Sequence, residues 1–257
     1  MTTPILVGSE FGGSGSALVL GPSLGTPATL WQRTAALIAG EFHLLAWDLP
    51  GHGASPATGE PFTVQELADS VIALADDAGL TRFDYAGVSL GGQVGLALAI
   101  QYPQRIRRLA VLCSSAKIGS AVAWEDRAAM VRSQGTPSLV EGSATRWFAP
   151  GFIERHPDRA SSLLIALSDT DDESYALCCG ALASADLRDG LADITAPTVV
   201  WYGEHDTIIT ADDAQAVAAR VPAGSTAMIG GTAHLPPIEH PDAVASALRE
   251  FLGREAA

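Results

Sequence analysis

Lysine is almost missing from this chain of 257 residues: Lys117 is the only one, and the other basic residues are arginines. Basic side chains number 15 against 29 acidic ones, for a net charge of -14. Phosphate binding needs a basic face, so this balance argues against nucleic acid as a partner. Cysteine is scarce too. Cys113, Cys178 and Cys179 make an odd count with an adjacent pair, which argues against a disulfide framework and fits a reducing cytoplasm. No apolar run approaches the ~18 residues of a membrane span. The opening MTTPILVGSE has neither the basic stretch nor the apolar core of a secretory signal. Zinc-type spacing is missing, and no metal or cofactor is expected.

What is present is apolar matter, 47% of the chain, enough for one large α/β domain or a core with an insertion. Short apolar runs alternate with helical patterns. Strands are expected at Ala17–Leu20, Phe42–Trp47, Phe83–Ala86, Leu109–Cys113, Thr198–Tyr202 and Thr226–Ile229, with a further one near Ile5–Val7. Several are apolar on both faces, as in a buried parallel sheet. Thr63-Val64-Gln65-Glu66 reads as a capping box opening a helix to about Ala78. Gly91–Gln101 is apolar nearly all round and should be a buried helix. Thr210 should cap a helix over Ala211–Val221, and His240-Pro241 should start the last one. The alternation points to a doubly wound, mostly parallel sheet. From Gly119 to Leu191 no good strand occurs, only helical stretches such as Val122–Arg132 and Ser161–Leu167. That is too long for a loop. The expected organisation is therefore a core of residues 1–118 and 192–257, with a helical cap, residues 119–191, inserted in it.

Ser89 stands in Gly87-Val88-Ser89-Leu90-Gly91, between an expected strand and an expected helix. A nucleophile elbow needs that context, with glycines where the backbone turns sharply. A serine hydroxyl then needs a base, and the base an acid to orient it. On such a sheet the order is serine, acid, histidine. Asp206 follows the strand Thr198–Tyr202, and His234 follows Thr226–Ile229. Both lie at carboxyl ends of strands, the edge where open α/β sheets carry their sites. Glu204 is the alternative acid; the position after the strand ending at Cys113 offers only Ser114 and Ser115. An oxyanion would take one N–H from Leu90 and a second from the loop Gly21-Pro22-Ser23-Leu24-Gly25. Leu24 is the choice there, with Ser23 and Gly25 open. Asp48 to Ser55 reads as a turn stapled by Asp48 and His52, and Cys113 as simple packing.

At these residues the chain resembles the α/β-hydrolase superfamily over essentially its whole length, and within it the 3-oxoadipate enol-lactonases. The likeness lies in S-L-G-T at Ser23–Thr26, W-D-L-P-G-H-G-A-S at Trp47–Ser55, G-V-S-L-G-G at Gly87–Gly92, S-A-K-I-G at Ser115–Gly119 and W-E-D-R at Trp124–Arg127. The oxyanion loop lacks the His-Gly pair common in esterases. The resemblance implies the α/β-hydrolase fold and a serine hydrolase that opens an anionic enol-lactone to 3-oxoadipate in bacterial aromatic catabolism. It places Trp124 against the ring and Arg127 on the free carboxylate. The two are three apart and so share a helix face; the alternative reading of the pair is a buried indole beside a solvated arginine. Some relatives carry a fused decarboxylase, which this chain is expected to lack. The rival expectations are a carboxylesterase, a C–C bond hydrolase, a cofactor-free perhydrolase, or a ligand-binding pseudoenzyme. The expected location is cytoplasmic, and a homo-oligomer stays open.

Overall fold

The computed structural model describes residues 3–253. Its strands are β1 (Gly8–Gly12), β2 (Ser16–Gly21), β3 (Phe42–Trp47), β4 (Phe83–Val88), β5 (Ile106–Leu112), β6 (Thr198–Gly203) and β7 (Gly224–Ile229). They form one sheet in the order β1-β3-β2-β4-β5-β6-β7. β1 is antiparallel to β3, and every other pairing is parallel. The helices are α1 (Gln32–Ile38), α2 (Val64–Asp77), α3 (Leu90–Gln101), α4 (Ala121–Gln134), α5 (Val140–Trp147), α6 (Phe152–Arg155), α7 (Pro157–Ser168), α8 (Asp172–Ser184), α9 (Ala211–Ala218), α10 (Pro236–Glu239) and α11 (Pro241–Leu252). Between β5 and β6 the described chain is helical, with no strand.

Central strands are buried on both faces; all six residues of β4 are. That is why they read as unbroken apolar runs rather than alternations. α3 is buried from Leu90 to Ala99, which accounts for its all-round apolar sequence. Polar ends fix helix starts. Thr63 and Glu66 form the reciprocal capping box of α2, and Thr210 and Asp213 form one on α9. His240 accepts at Nδ1 from the Ala243 N–H and caps α11.

Two expectations shift. The N-terminal strand is not at Ile5–Val7 but at Gly8–Gly12; Val7 instead bonds Asp48 and Ser55. α9 ends at Ala218, three residues before Val221, because the chain must turn there to enter β7.

The topology positions the site. β2 leads outward to β3 and β1, whereas β4 returns to the other side of β2. The order in which strands are laid down therefore reverses between β2 and β4, and a crevice opens above their carboxyl ends. Gly21 and Gly87 are register partners there, so the loop after β2 and the turn after β4 are neighbours. No helix among the described residues is long and apolar enough to cross a membrane.

Candidate active site

Ser89 sits between β4 and α3 with φ 52° and ψ -118°. Non-glycine residues rarely adopt that backbone, and its cost persists only where the surroundings enforce it. Here they do. Ser89 N–H donates to Leu112 O (2.9 Å), and Ser89 O accepts from Gln93 N–H (2.9 Å) and from the Ser114 hydroxyl (2.6 Å). A Cβ on Gly87 would overlap the Gly91 carbonyl, and one on Gly91 would meet Pro22 and Gly21. Both glycines are thus required by the close approach of backbones.

His234 Nδ1 lies 2.9 Å from Asp206 Oδ2, with both side chains almost wholly buried. Asp206 Oδ1 accepts from the N–H groups of Ile208 (2.8 Å) and Ile209 (3.2 Å). Burial raises the Asp206 carboxyl, but the charge and hydrogen bond of His234 and these two donors outweigh it and hold it below its usual value. Ser89, His234, Ser23 and Leu24 line one cavity. The sheet explains the convergence: β6 and β7 are paired to Gly203 and Ile229, and His205 N–H bonds Thr232 O (2.8 Å), which draws the two loops together. Glu204, the alternative acid, instead accepts from Gly231 N–H at the surface.

The loop after β2 separates its three candidate donors. Ser23 N–H is taken by Thr26 Oγ1 (3.1 Å) and Gly25 N–H by His52 Nε2 (3.1 Å). Leu24 N–H has no acceptor among the described residues, and neither has Leu90 N–H at the start of α3. Of these two, Leu24 lines the cavity.

The stapled turn reaches further than its own residues. Asp48 accepts from Ala54 N–H within the turn (3.0 Å) but also from Ala28 N–H (2.5 Å). His52 Nδ1 lies 2.8 Å from Pro50 O; with the proton there, Nε2 is the acceptor for Gly25. Burial holds His52 down to about 4, so the imidazole stays neutral, as that role requires. Asp48 and His52 thus hold Gly25 and Ala28, the segment directly after Leu24.

The far wall comes from the helical segment. Trp124 and Arg127, one turn apart on α4, both line the cavity. Trp124 Nε1 donates to Ile118 O (2.6 Å), and the Arg127 guanidinium lies 5.1 Å from the indole centre. Tyr175, a buried residue of α8, lines the same wall, and the Arg127 charge bears on its hydroxyl. Arg146, on α5, was not singled out from sequence. It lines the cavity with no acidic partner among the described residues. Burial and the Arg127 charge lower its pKa. The free space is about 30 Å³, room for a water or two, so a ring-sized ligand requires wall side chains to move aside.

Cys113 does more than pack. Its φ is 48°, and its thiol faces Ala233 O (3.5 Å) and Asp206. Cys113, Asp206 and His234 bring potential metal-ligating atoms within 4.8 Å of one another. Burial, and then the Asp206 charge, push the thiol far up and keep it protonated, while Asp206 is already bonded to His234. The cluster is a hydrogen-bonded acid and imidazole backed by a thiol.

Residues 18–247 match the alpha/beta hydrolase family. The chain is 37% identical over 238 residues to 3-oxoadipate enol-lactonase 2 of Acinetobacter baylyi, covering 93% of this chain and 89% of that one. It is 32% identical to 3-oxoadipate enol-lactonase 1 of the same organism, over 88% and 84% of the two chains. The crystal structure of the enol-lactonase from Burkholderia xenovorans LB400 superposes with a TM-score of 0.93 at 32% identity, covering 97% and 96%. By the extent of these matches and by its sheet, elbow and buried histidine–carboxylate pair, the chain belongs to the alpha/beta hydrolase family.

Proposed function

We propose that this protein is a serine hydrolase that opens 3-oxoadipate enol-lactone to 3-oxoadipate, within bacterial aromatic catabolism. The observation that carries the reading is one cavity holding both Ser89 with His234 and two arginines that have no counter-ion among the described residues. The likeness to enol-lactonases from two genera supports the lactone as substrate. Residues 119–191 serve as a cap over a core of residues 1–118 and 192–257.

Ser89 Oγ attacks the lactone carbonyl while His234 Nε2 takes its proton. Asp206 holds the imidazole and stabilises its positive charge. Leu24 and Leu90 N–H groups receive the oxyanion; a single such donor is worth about 2.7–4 kcal/mol. Collapse breaks the ring C–O bond and expels an enolate, which takes the His234 proton at carbon and becomes the ketone. An enolate leaves more readily than an alkoxide and stays tethered in the acyl-enzyme. Water then attacks as His234 removes its proton, and the second collapse returns Ser89 and frees the dicarboxylate. Trp124 walls the ring, and Arg127 and Arg146 hold the free carboxylate.

The test compares wild type with Ser89→Ala on freshly generated enol-lactone, with a neutral p-nitrophenyl ester as control. Expected are lactone turnover well above ester turnover and a loss on the order of 10⁴–10⁶-fold in the variant. A folded enzyme that reacts with a fluorophosphonate but leaves the lactone untouched keeps the hydrolase and removes the substrate. No labelling at Ser89 points to a pseudoenzyme.

A further inference from the structure

Glu239 closes the four-residue helix α10 and is buried, 7% exposed. It has no ion-pair partner among the described residues. Its partners are three backbone donors on two separate segments. Oε1 accepts from Ala233 N–H (2.8 Å) and Leu235 N–H (3.3 Å), the amides on either side of His234. Oε2 accepts from Ala149 N–H (2.6 Å), just past the end of α5. His234 N–H itself donates to Trp147 O (3.2 Å). A buried carboxylate without a cation is costly, and an apolar side chain would fill the space without that cost. What a carboxylate adds is two acceptor oxygens facing different ways.

We propose that Glu239 is a positioning residue, whose two oxygens fasten the His234 loop to the end of α5 so that the imidazole and the wall at Arg146 and Trp147 are set as one unit. This rests on the reading of His234 as the base. The imidazole must keep Nδ1 on Asp206 while Nε2 points to Ser89, and its direction follows the backbone from Ala233 to Leu235. With the amides on both sides fixed, that backbone has no freedom to tilt the ring. The same carboxylate holds Ala149, and His234 N–H holds Trp147 O, so the segment behind Arg146 and Trp147 cannot shift without disturbing the base. Gln at this position offers one oxygen, and its NH2 would oppose an N–H donor.

The experiment uses Glu239→Gln and Glu239→Asp on p-nitrophenyl acetate, whose hydrolysis does not depend on the lactone being the substrate. Active sites are counted by exhaustive fluorophosphonate titration, so unfolded protein drops out. A 1 Å misplacement near the chemistry costs about 10²-fold. The Gln variant is therefore expected to lose about tenfold or more in kcat per titrated site, with KM within about threefold and part of the loss restored in the Asp variant. An unchanged kcat per site with only a lower melting temperature overturns the proposal. Ser89→Ala runs alongside. If it keeps ester hydrolysis, the serine reading fails; if it is dead while Glu239→Gln works at full rate, only this inference fails. Should neither Glu239 variant fold, amide exchange in the wild-type enzyme decides. Exchange at Ala149 and Ala233 as slow as in the core strands supports the clamp, and fast exchange there overturns it.

Discussion

Arg127 and Arg146 project into one small cavity and repel each other there. No carboxylate of the described chain separates them, so the uncompensated charge awaits an anion. Each charge-assisted hydrogen bond to a substrate carboxylate is worth about 1.5–3 kcal/mol. Arg146→Ala should therefore raise KM for the enol-lactone by about ten- to a hundredfold and leave p-nitrophenyl acetate within about threefold. Arg127→Ala should behave likewise. Equal losses on both substrates would sink the carboxylate contact. Relief of like-charge repulsion predicts that Arg146→Ala does not lower the melting temperature without ligand. Adipate should raise the wild-type melting temperature more than that of the variant, since a ligand stabilises the state it binds. Sequence carries the two kinds of residue differently. Ser89, Asp206 and His234 are legible because each stands at a strand end beside turn residues, and strand ends are local features. Arg146 and Glu239 are not. Their surroundings come from chain far away, Arg127 on another helix for one and Ala149 for the other, and a charged residue in a helix reads as solvated until packing shows otherwise. The Arg146-Trp147-Phe148 run, a charge against two aromatics, was the available signal.

Among the elements, the turn after β3 gives a measurable handle. His52 is wholly buried, held down to about 4, and accepts from Gly25 N–H beside Leu24. The unfolded chain protonates at about 6.5, so the folded state resists a proton the unfolded state takes. The stability contributed by neutral His52 is complete above about 6.5 and is lost as pH falls toward 4. The loss between pH 7.5 and pH 5 should be about 2 kcal/mol. Glu239 acts in the opposite sense. Burial pushes it up to about 7 against its three backbone donors, so its contribution is present at low pH and lost as pH rises through 7. Urea melts of wild type and His52→Gln at both pH values separate the two. Gln keeps an acceptor for Gly25 and does not titrate, so the variant should lose about 2 kcal/mol less on acidification. Equal losses would show that His52 is not the buried neutral base described. The turn was legible as a staple, but its reach to Gly25 and Ala28 was not, because those contacts join segments that only the sheet brings together. β1 teaches the same lesson. Gly-Ser-Glu-Phe-Gly has little apolar content, and its strand comes from pairing with β3, whereas the more apolar Ile5–Val7 beside it drew the expectation.

At the scale of the whole molecule, a net charge of -14 opposes approach of an anionic substrate to a locally cationic cavity. The two fields differ in range. Contact between a carboxylate and the cavity arginines acts over a few ångströms, partly sheltered from solvent. Repulsion from surface carboxylates acts over longer distances through water. The Debye length shortens from about 30 Å at 0.01 M salt to about 10 Å at 0.1 M. Salt in that range removes long-range repulsion and leaves most of the contact. The kcat/KM for the enol-lactone should therefore rise with ionic strength from 0.01 to 0.1 M, while that for p-nitrophenyl acetate stays flat. The rise should persist in Arg146→Ala, because its cause lies in the surface charge and not in the wall. A fall for the lactone in wild type that vanishes in Arg146→Ala would mean the arginine pair steers the substrate from a distance, and the surface field would then be the weaker of the two.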